Sequence, residues 1–282
     1  MTAPATVASP SKVALLAERF ATLKRDGRAA LAPFVTAGDP DMDTTLAVLE
    51  SLDRAGASLV ELGVPYSDPI ADGPVIQSSY TRALAAGFTL ERLFELSRVA
   101  TQRVRVPILA MASYSLIFRR GIDRFVGDAQ AAGLAGFVVP DLPLEESDQL
   151  DAAYRQAGLA LVRLVTPTTP PERAEAIARR STGFLYCVSV AGVTGARSEL
   201  PAGLIERVQW LRTKTDVPIV VGFGISSPEQ ARAVARVADG VIVGSAVVRH
   251  LAEAASQPRE AVLRGLEGYV GELAAAVGPA RG

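Results

Sequence analysis

Short apolar runs and amphipathic stretches alternate along almost the whole 282-residue chain. Eight runs predict strands: 31–36, 58–62, 107–112, 136–139, 159–165, 183–188, 218–222 and 240–243. They are apolar at nearly every position, the pattern of parallel strands covered on both faces. The segments between them have helical spacing, at 43–55, 89–101, 120–132, 146–157, 171–180, 204–214 and 228–237. Ser227-Pro228-Glu229 predicts a helix start, with an N-cap, proline at the first helical position and an acid near the positive helix end. Thr169-Pro170-Pro171-Glu172 predicts another of the same kind. Ala132-Gly133 and Ala157-Gly158 predict helix ends with glycine just past the last turn. Ahead of the first strand, 13–26 predicts an extra helix with Leu15, Leu16, Phe20 and Leu23 on one stripe.

Eight strand–helix units without a break in composition predict an α/β protein, a single (β/α)8 TIM barrel over 13–282 with an extra N-terminal helix. Residues 1–12 read as a loose tail. A doubly wound open sheet is the alternative. No internal repeat interrupts the series.

Composition narrows the chemistry. At 49% hydrophobic and 21% charged, the chain can bury a large core. It carries 29 basic and 30 acidic residues, for a net charge of -1. No basic surplus points to nucleic acid or to an anionic membrane surface. The single histidine, His250, follows Val247-Val248-Arg249 and reads as a surface or helix-end residue. The single cysteine, Cys187, lies in the apolar run 184–188 and reads as a buried thiol. Serine–histidine or cysteine–histidine catalysis is therefore not expected, nor is a zinc site. The start, MTAPATVASPSK, lacks the apolar stretch of a signal peptide, and no run reaches the 18 or so apolar residues of a membrane span. The cytoplasm is the expected location.

One carboxylate sits inside an apolar strand: Glu61, in Ser58-Leu59-Val60-Glu61-Leu62-Gly63. A buried charge costs several kcal/mol unless it is paired, neutralised or used. Eleven residues on, Asp72 stands in a loop rich in proline and glycine. The two form a candidate acid/base pair. The bland alternatives are a glutamate tied to a neighbour and a turn aspartate. Asp68, in Ser67-Asp68-Pro69, reads as a cap or a contact to another chain.

In a barrel, binding and chemistry belong at the C-terminal ends of the strands. Glu61, Asp72 and three glycine-bearing segments all fall there: 192–197, 222–227 and 244–246. Glycines let backbone N–H groups approach a ligand, and a following helix start adds partial positive charge. The three together predict a phosphate site, with tight turns as the plainer reading. Arg197 adds either a charge to it or a solvated side chain.

These residues resemble the α subunit of tryptophan synthase, over about 32–251. The matching segments are 33–40, 60–63 with 72–74, 140–143, 188–195 and 222–226. The resemblance implies cleavage of indole-3-glycerol phosphate to indole and glyceraldehyde 3-phosphate in tryptophan biosynthesis, a carbon–carbon lyase reaction. It implies Glu61 as the acid/base and Asp72 as the carboxylate holding the indole N–H. The phosphate is expected at Gly195, Gly224, Gly244 and Ser245. The indole ring is expected among Phe34, Val138, Val165, Tyr186 and Phe223. Thr194 matches a threonine of a loop that closes over the site.

The resemblance implies no cofactor for this chain. Pyridoxal phosphate is expected only in a β subunit, the implied partner in an α2β2 heterotetramer. The loops after strands 2, 3 and 6 are the expected partner surface. Ser113 and Ser115 depart from the pattern, which commonly has a tyrosine and an asparagine there. A free-standing lyase, a catalytically silent regulatory subunit and a different phosphosugar isomerase are the competing readings.

Overall fold

A computed structural model describes residues 11–70, 72–189, 203–222, 224–252 and 257–278. Eight strands close into one parallel barrel in sequence order: β1 (Ala30–Thr36), β2 (Val60–Gly63), β3 (Ile108–Met111), β4 (Gly136–Val138), β5 (Ala160–Val165), β6 (Leu185–Val188), β7 (Ile219–Gly222) and β8 (Gly240–Val243). The closing pair, β1 with β8, aligns Ala30 with Gly240 and Pro33 with Val243. Closure removes both sheet edges, and the open-sheet alternative falls with it.

Successive strand residues face opposite ways, so the apolar runs divide into two cores. Inside the barrel pack Ala32, Leu59, Leu109, Val138, Val162, Phe184, Val220 and Ile242. Between barrel and helices pack Leu31, Leu62, Ala110, Phe137, Leu185 and Val241, among others. A continuous apolar run feeds both layers at once.

Helix α1 (Lys12–Arg25) closes the N-terminal end of the barrel. Its Leu16, Phe20 and Leu23 join the interior core, and the Phe20 and Phe184 ring centres lie 6.0 Å apart. Leu15, expected on that stripe, is 39% exposed. The stripe is narrower than expected because the helix meets a ring of strand ends rather than a broad face.

The seven helices expected between strands are present: α2 (Met42–Arg54), α4 (Leu90–Arg103), α6 (Ile122–Ala131), α7 (Asp148–Ala157), α8 (Pro171–Arg180), α9 (Leu204–Arg212) and α10 (Pro228–Ala235). A short 3-10 turn, Leu144–Glu146, precedes α7. Ser227 forms a full capping box with Gln230. Gly133 and Gly158 take φ of 78° and 68°, the left-handed values that end a helix. At α8, however, Pro170 is the N-cap, and the Thr169 hydroxyl instead accepts from the Thr166 N–H at 2.9 Å.

Three further helices complete the fold before and after the short α11 (Ser245–Ala252): α3 (Pro74–Ala85), α5 (Tyr114–Arg120) and α12 (Arg259–Ala276). Among the described residues, no helix is long and apolar enough to cross a membrane.

Candidate active site

Glu61 faces the barrel interior, level with Phe34 on β1 and Leu109 on β3. It is 3% exposed, and its Oε1 is sealed from solvent without a hydrogen-bond partner among the described residues. Burial, reinforced by the negative charge of Asp72, pushes its carboxyl up to about 8. At neutral pH Glu61 is a proton-bearing acid.

Asp72 reaches the same rim from the β2–α3 loop. Its N–H donates to the Pro69 carbonyl at 3.1 Å. The Gln77 side-chain amide, one turn into α3, donates to the Asp72 carbonyl at 2.8 Å and to the Pro69 carbonyl at 3.1 Å. The helix thus fastens the loop that holds the acid. Burial raises Asp72 to about 6, which leaves it mostly anionic at pH 7. Two nearby carboxyls pushed to different values supply one proton donor and one anion.

Glycines at the strand ends make room for aromatic rings over this pair. A Cβ on Gly63 would strike the Phe34 ring and lie 2.9 Å from the Tyr80 hydroxyl. A Cβ on Gly222 would strike the Tyr186 hydroxyl and ring. In both places an aromatic side chain leans across a glycine on the adjoining strand. Phe34 packs with Ile76, Tyr80 and Val248, and Tyr66 lies against them. Tyr186 and Val138 belong to the interior core. Val165 does not: it belongs to the barrel–helix layer, and Leu164 packs on the interior instead. The strand's alternation decides this, and the uniformly apolar run hid it.

Ser113 and Ser115 form part of a hydroxyl–carboxylate chain. The Ser113 hydroxyl donates to Asp141 Oδ2 at 2.6 Å and lies 2.8 Å from the Ser115 hydroxyl. The Tyr114 N–H donates to Asp141 Oδ1 at 2.8 Å. Asp141 therefore joins the β4 loop to the start of α5. This contact was not legible in the sequence, since its members come from two separate loops.

Gly224, Gly244 and Ser245 lie at the same end of the barrel, after β7 and β8. Gly224 takes φ 79°. The Val248 N–H reaches the Gly244 carbonyl at 3.1 Å, so Gly244 opens α11. The N–H groups of Ser245, Ala246 and Val247 precede the first helical hydrogen bond and are free for an anion. The N–H groups of Ser226 and Ser227 are not, because Gln230 Oε1 accepts both, at 2.8 and 3.2 Å. Thr194, Gly195, Arg197 and Phe223 lie outside the described residues.

Cys187 is buried, and burial pushes its thiol up to about 11, away from nucleophilic use. His250 lies in the last turn of α11 and packs on Tyr269, with ring centres 4.6 Å apart. Among the described residues, no group of His, Cys, Asp and Glu is placed to hold a metal ion. A groove of about 1630 Å³ lies at the opposite end of the molecule, between α1, α9, α10 and α12, lined by Lys24, Arg28, Arg212 and Asp239. It is wide and open and contains none of the candidate residues.

Ionisable groups at the C-terminal rim of a closed parallel barrel place the chain in the class of (β/α)8 barrel proteins. The family model for the tryptophan synthase alpha chain matches residues 20–277, and the chain belongs to that family. Tryptophan synthase alpha chains are similar at 51% identity in Rhodopirellula baltica (85% of this chain and 87% of that one) and at 52% in Synechocystis (92% and 97%). Among solved structures, Mycobacterium tuberculosis tryptophan synthase matches with a TM-score of 0.86 at 36% identity, covering 95% of this chain and 99% of that one. The Legionella pneumophila subunit alpha matches with a TM-score of 0.86 at 33% identity, over 95% and 99%.

Proposed function

We propose that this chain cleaves indole-3-glycerol phosphate to indole and glyceraldehyde 3-phosphate by a retro-aldol step. The observation that carries the reading is the buried, partnerless Glu61 carboxyl, pushed up to about 8 by burial and by Asp72, in a member of this family. Indole is a poor leaving group as a carbanion. Glu61 gives its proton to indole C3, which makes the ring a cation able to accept the bond electrons. Asp72 holds the indole N–H and stabilises that positive charge. The Glu61 carboxylate then takes the proton of the hydroxyl next to the scissile bond. The carbon–carbon bond breaks, its electrons restore the indole ring, and the hydroxyl carbon becomes the aldehyde. Glu61 ends as it began, protonated, and the step needs neither metal nor organic cofactor.

The Phe34, Val138 and Tyr186 side chains supply apolar walls for indole. Gly224, Gly244, Ser245 and the start of α11 supply N–H groups for the phosphate, with Gly195 and Phe223 assigned beside them and Thr194 on the closing loop. The partner is a pyridoxal-phosphate-bearing β subunit in a cytoplasmic α2β2 assembly, which receives the indole. Exposed Ile70 and Phe118, with exposed Asp68, support a partner surface on the loops after β2 and β3. Residues 13–282 act as a single domain behind the 1–12 tail.

The test is indole release from indole-3-glycerol phosphate by the purified chain, with and without a tryptophan synthase β subunit. Slow release that the partner accelerates is expected. Fast release indifferent to the partner marks a free-standing lyase. No release in either condition, with the chain folded, overturns the reaction.

A further inference from the structure

Tyr80 lies on α3, outside every segment that pointed to the site from sequence. Its side chain is fixed there from two sides. One residue earlier, the Ser79 hydroxyl meets the Thr36 hydroxyl at 2.6 Å, tying α3 to the end of β1. Two residues later, Arg82 grips Asp39 with two hydrogen bonds, at 2.8 and 2.6 Å. Helical side chains lean toward the helix N-terminus, and in this fold that end of α3 is at the barrel mouth. Tyr80 accordingly points at the rim, packed against Phe34, Ile76 and Val248, with its ring 5.8 Å from that of Tyr66.

The hydroxyl ends over Gly63, 2.9 Å from where a side chain there would begin. Gly63 is two residues beyond Glu61 on the same strand, so both project to the same side of β2. The Tyr80 hydroxyl is thus one layer above the Glu61 carboxyl, between it and the mouth. It feels the charges of both Asp72 and Glu61. Tyr80 is 1% exposed, and its hydroxyl faces Gly63 at the barrel mouth rather than being one of the sealed, partnerless polar atoms of the described residues. Its place over Gly63, between the Glu61 carboxyl and the mouth, puts it where a substrate group bound at Glu61 would meet it. Directly below it, Glu61 Oε1 is sealed and without a partner among the described residues.

We infer that the Tyr80 hydroxyl is a further substrate-positioning group, donating a hydrogen bond to the substrate hydroxyl oxygen next to the scissile bond while Glu61 faces that hydroxyl's proton. The inference rests on the lyase reading above. A hydroxyl both donates and accepts, so one such group satisfies Tyr80 and Glu61 together. When its proton leaves and the aldehyde forms, the oxygen is still an acceptor, and the Tyr80 contact persists through the step. The phenol keeps its own proton throughout.

The test compares wild type with Tyr80→Phe, which removes the hydroxyl and keeps the ring. Two quantities are measured: kcat/KM for indole-3-glycerol phosphate, and the inhibition constant of indole-3-propyl phosphate, which has the ring and phosphate but no hydroxyls. The expected result is a loss of about tenfold in kcat/KM, the worth of one ordinary hydrogen bond, with the inhibition constant unchanged. An unchanged kcat/KM overturns the inference. So does an inhibition constant that worsens by the same factor, because Tyr80 would then only shape the pocket. A Tyr80→Phe protein that fails to fold overturns it too, since it would reveal a structural partner for the hydroxyl. Wild type that does not cleave the substrate sinks the lyase reading itself. Cleavage by wild type with an unaffected variant sinks this inference alone.

Discussion

Glu61 is costly to the fold as an anion and useful to it as an acid. Glu61→Gln keeps the shape and removes the proton donor, so cleavage should fall by about 10²–10⁴, the usual worth of a positioned acid/base. The wild-type rate should trace a bell against pH. Its acidic limb lies near 6, where Asp72 takes up a proton, and its basic limb near 8, where Glu61 loses one. Asp72→Asn should lower the rate and abolish the acidic limb. A pH–rate series on the three proteins checks both statements. Stability follows the same proton. The folded state raises Glu61 from the ordinary 4.5 to about 8, so its protonated form is favoured by folding. The stability this contributes is complete below pH 4.5, declines as pH rises, and is lost once pH passes 8. Melting curves should therefore show Glu61→Gln gaining on wild type across that window and holding a constant margin above it.

At the scale of elements, one buried network bears most weight. Arg163 lies on the outer face of β5, 7% exposed, and donates to Ser147 at 2.9 Å and to Asp151. Arg180 of α8 also pairs with Asp151. Burial pulls the Arg163 guanidinium below its ordinary value, and Asp151 offsets that pull. Asp151→Ala leaves two cations facing an empty acceptor, one of them buried, and should cost about 3–5 kcal/mol in a denaturant titration. Ser227→Ala, which breaks the α10 capping box, should cost only about 1 kcal/mol.

Elements were legible in sequence where one physical cause dominated. All eight strands announced themselves, because parallel strands buried on both faces have no polar alternation to blur them. Three helices did not. The start of α3 shares the Pro- and Gly-rich segment that carries Asp72, and its exposed Gln77, Ser78 and Thr81 dilute the stripe. Helix α5 is only seven residues long. Helix α12 carries Gly265, Gly268 and Gly271, which weaken helix propensity, and is held by its Val262, Leu266, Val270 and Leu273 stripe. The site divides in the same way. Glu61 stood out as a carboxyl in an apolar strand. Tyr80 and Gln77 were hidden, and Asp141 stood in a matching segment without its contact being legible, since these placements depend on where an unread helix or a distant loop comes to rest.

For the molecule as a whole, closure at both levels matters: strands close into a ring, and α1 closes the ring's floor. Phe20 spans that floor, 5% exposed and against Phe184. Phe20→Ala should cost about 3–5 kcal/mol of stability through the cavity it leaves. Because the floor is remote from the rim, the same change should leave the pH limbs of the rate where they were. Calorimetry alongside the pH–rate series separates the two effects.

Among the described residues, a sealed floor turns the barrel into a well open at its rim. On the proposed reaction, substrate and products share that rim, because among the described residues the floor offers no second way out. On that reaction, traffic is then one-way at a time: a lingering product blocks the next arrival. Whatever sits across that doorway, a closing loop or a neighbouring subunit, is the gatekeeper of turnover.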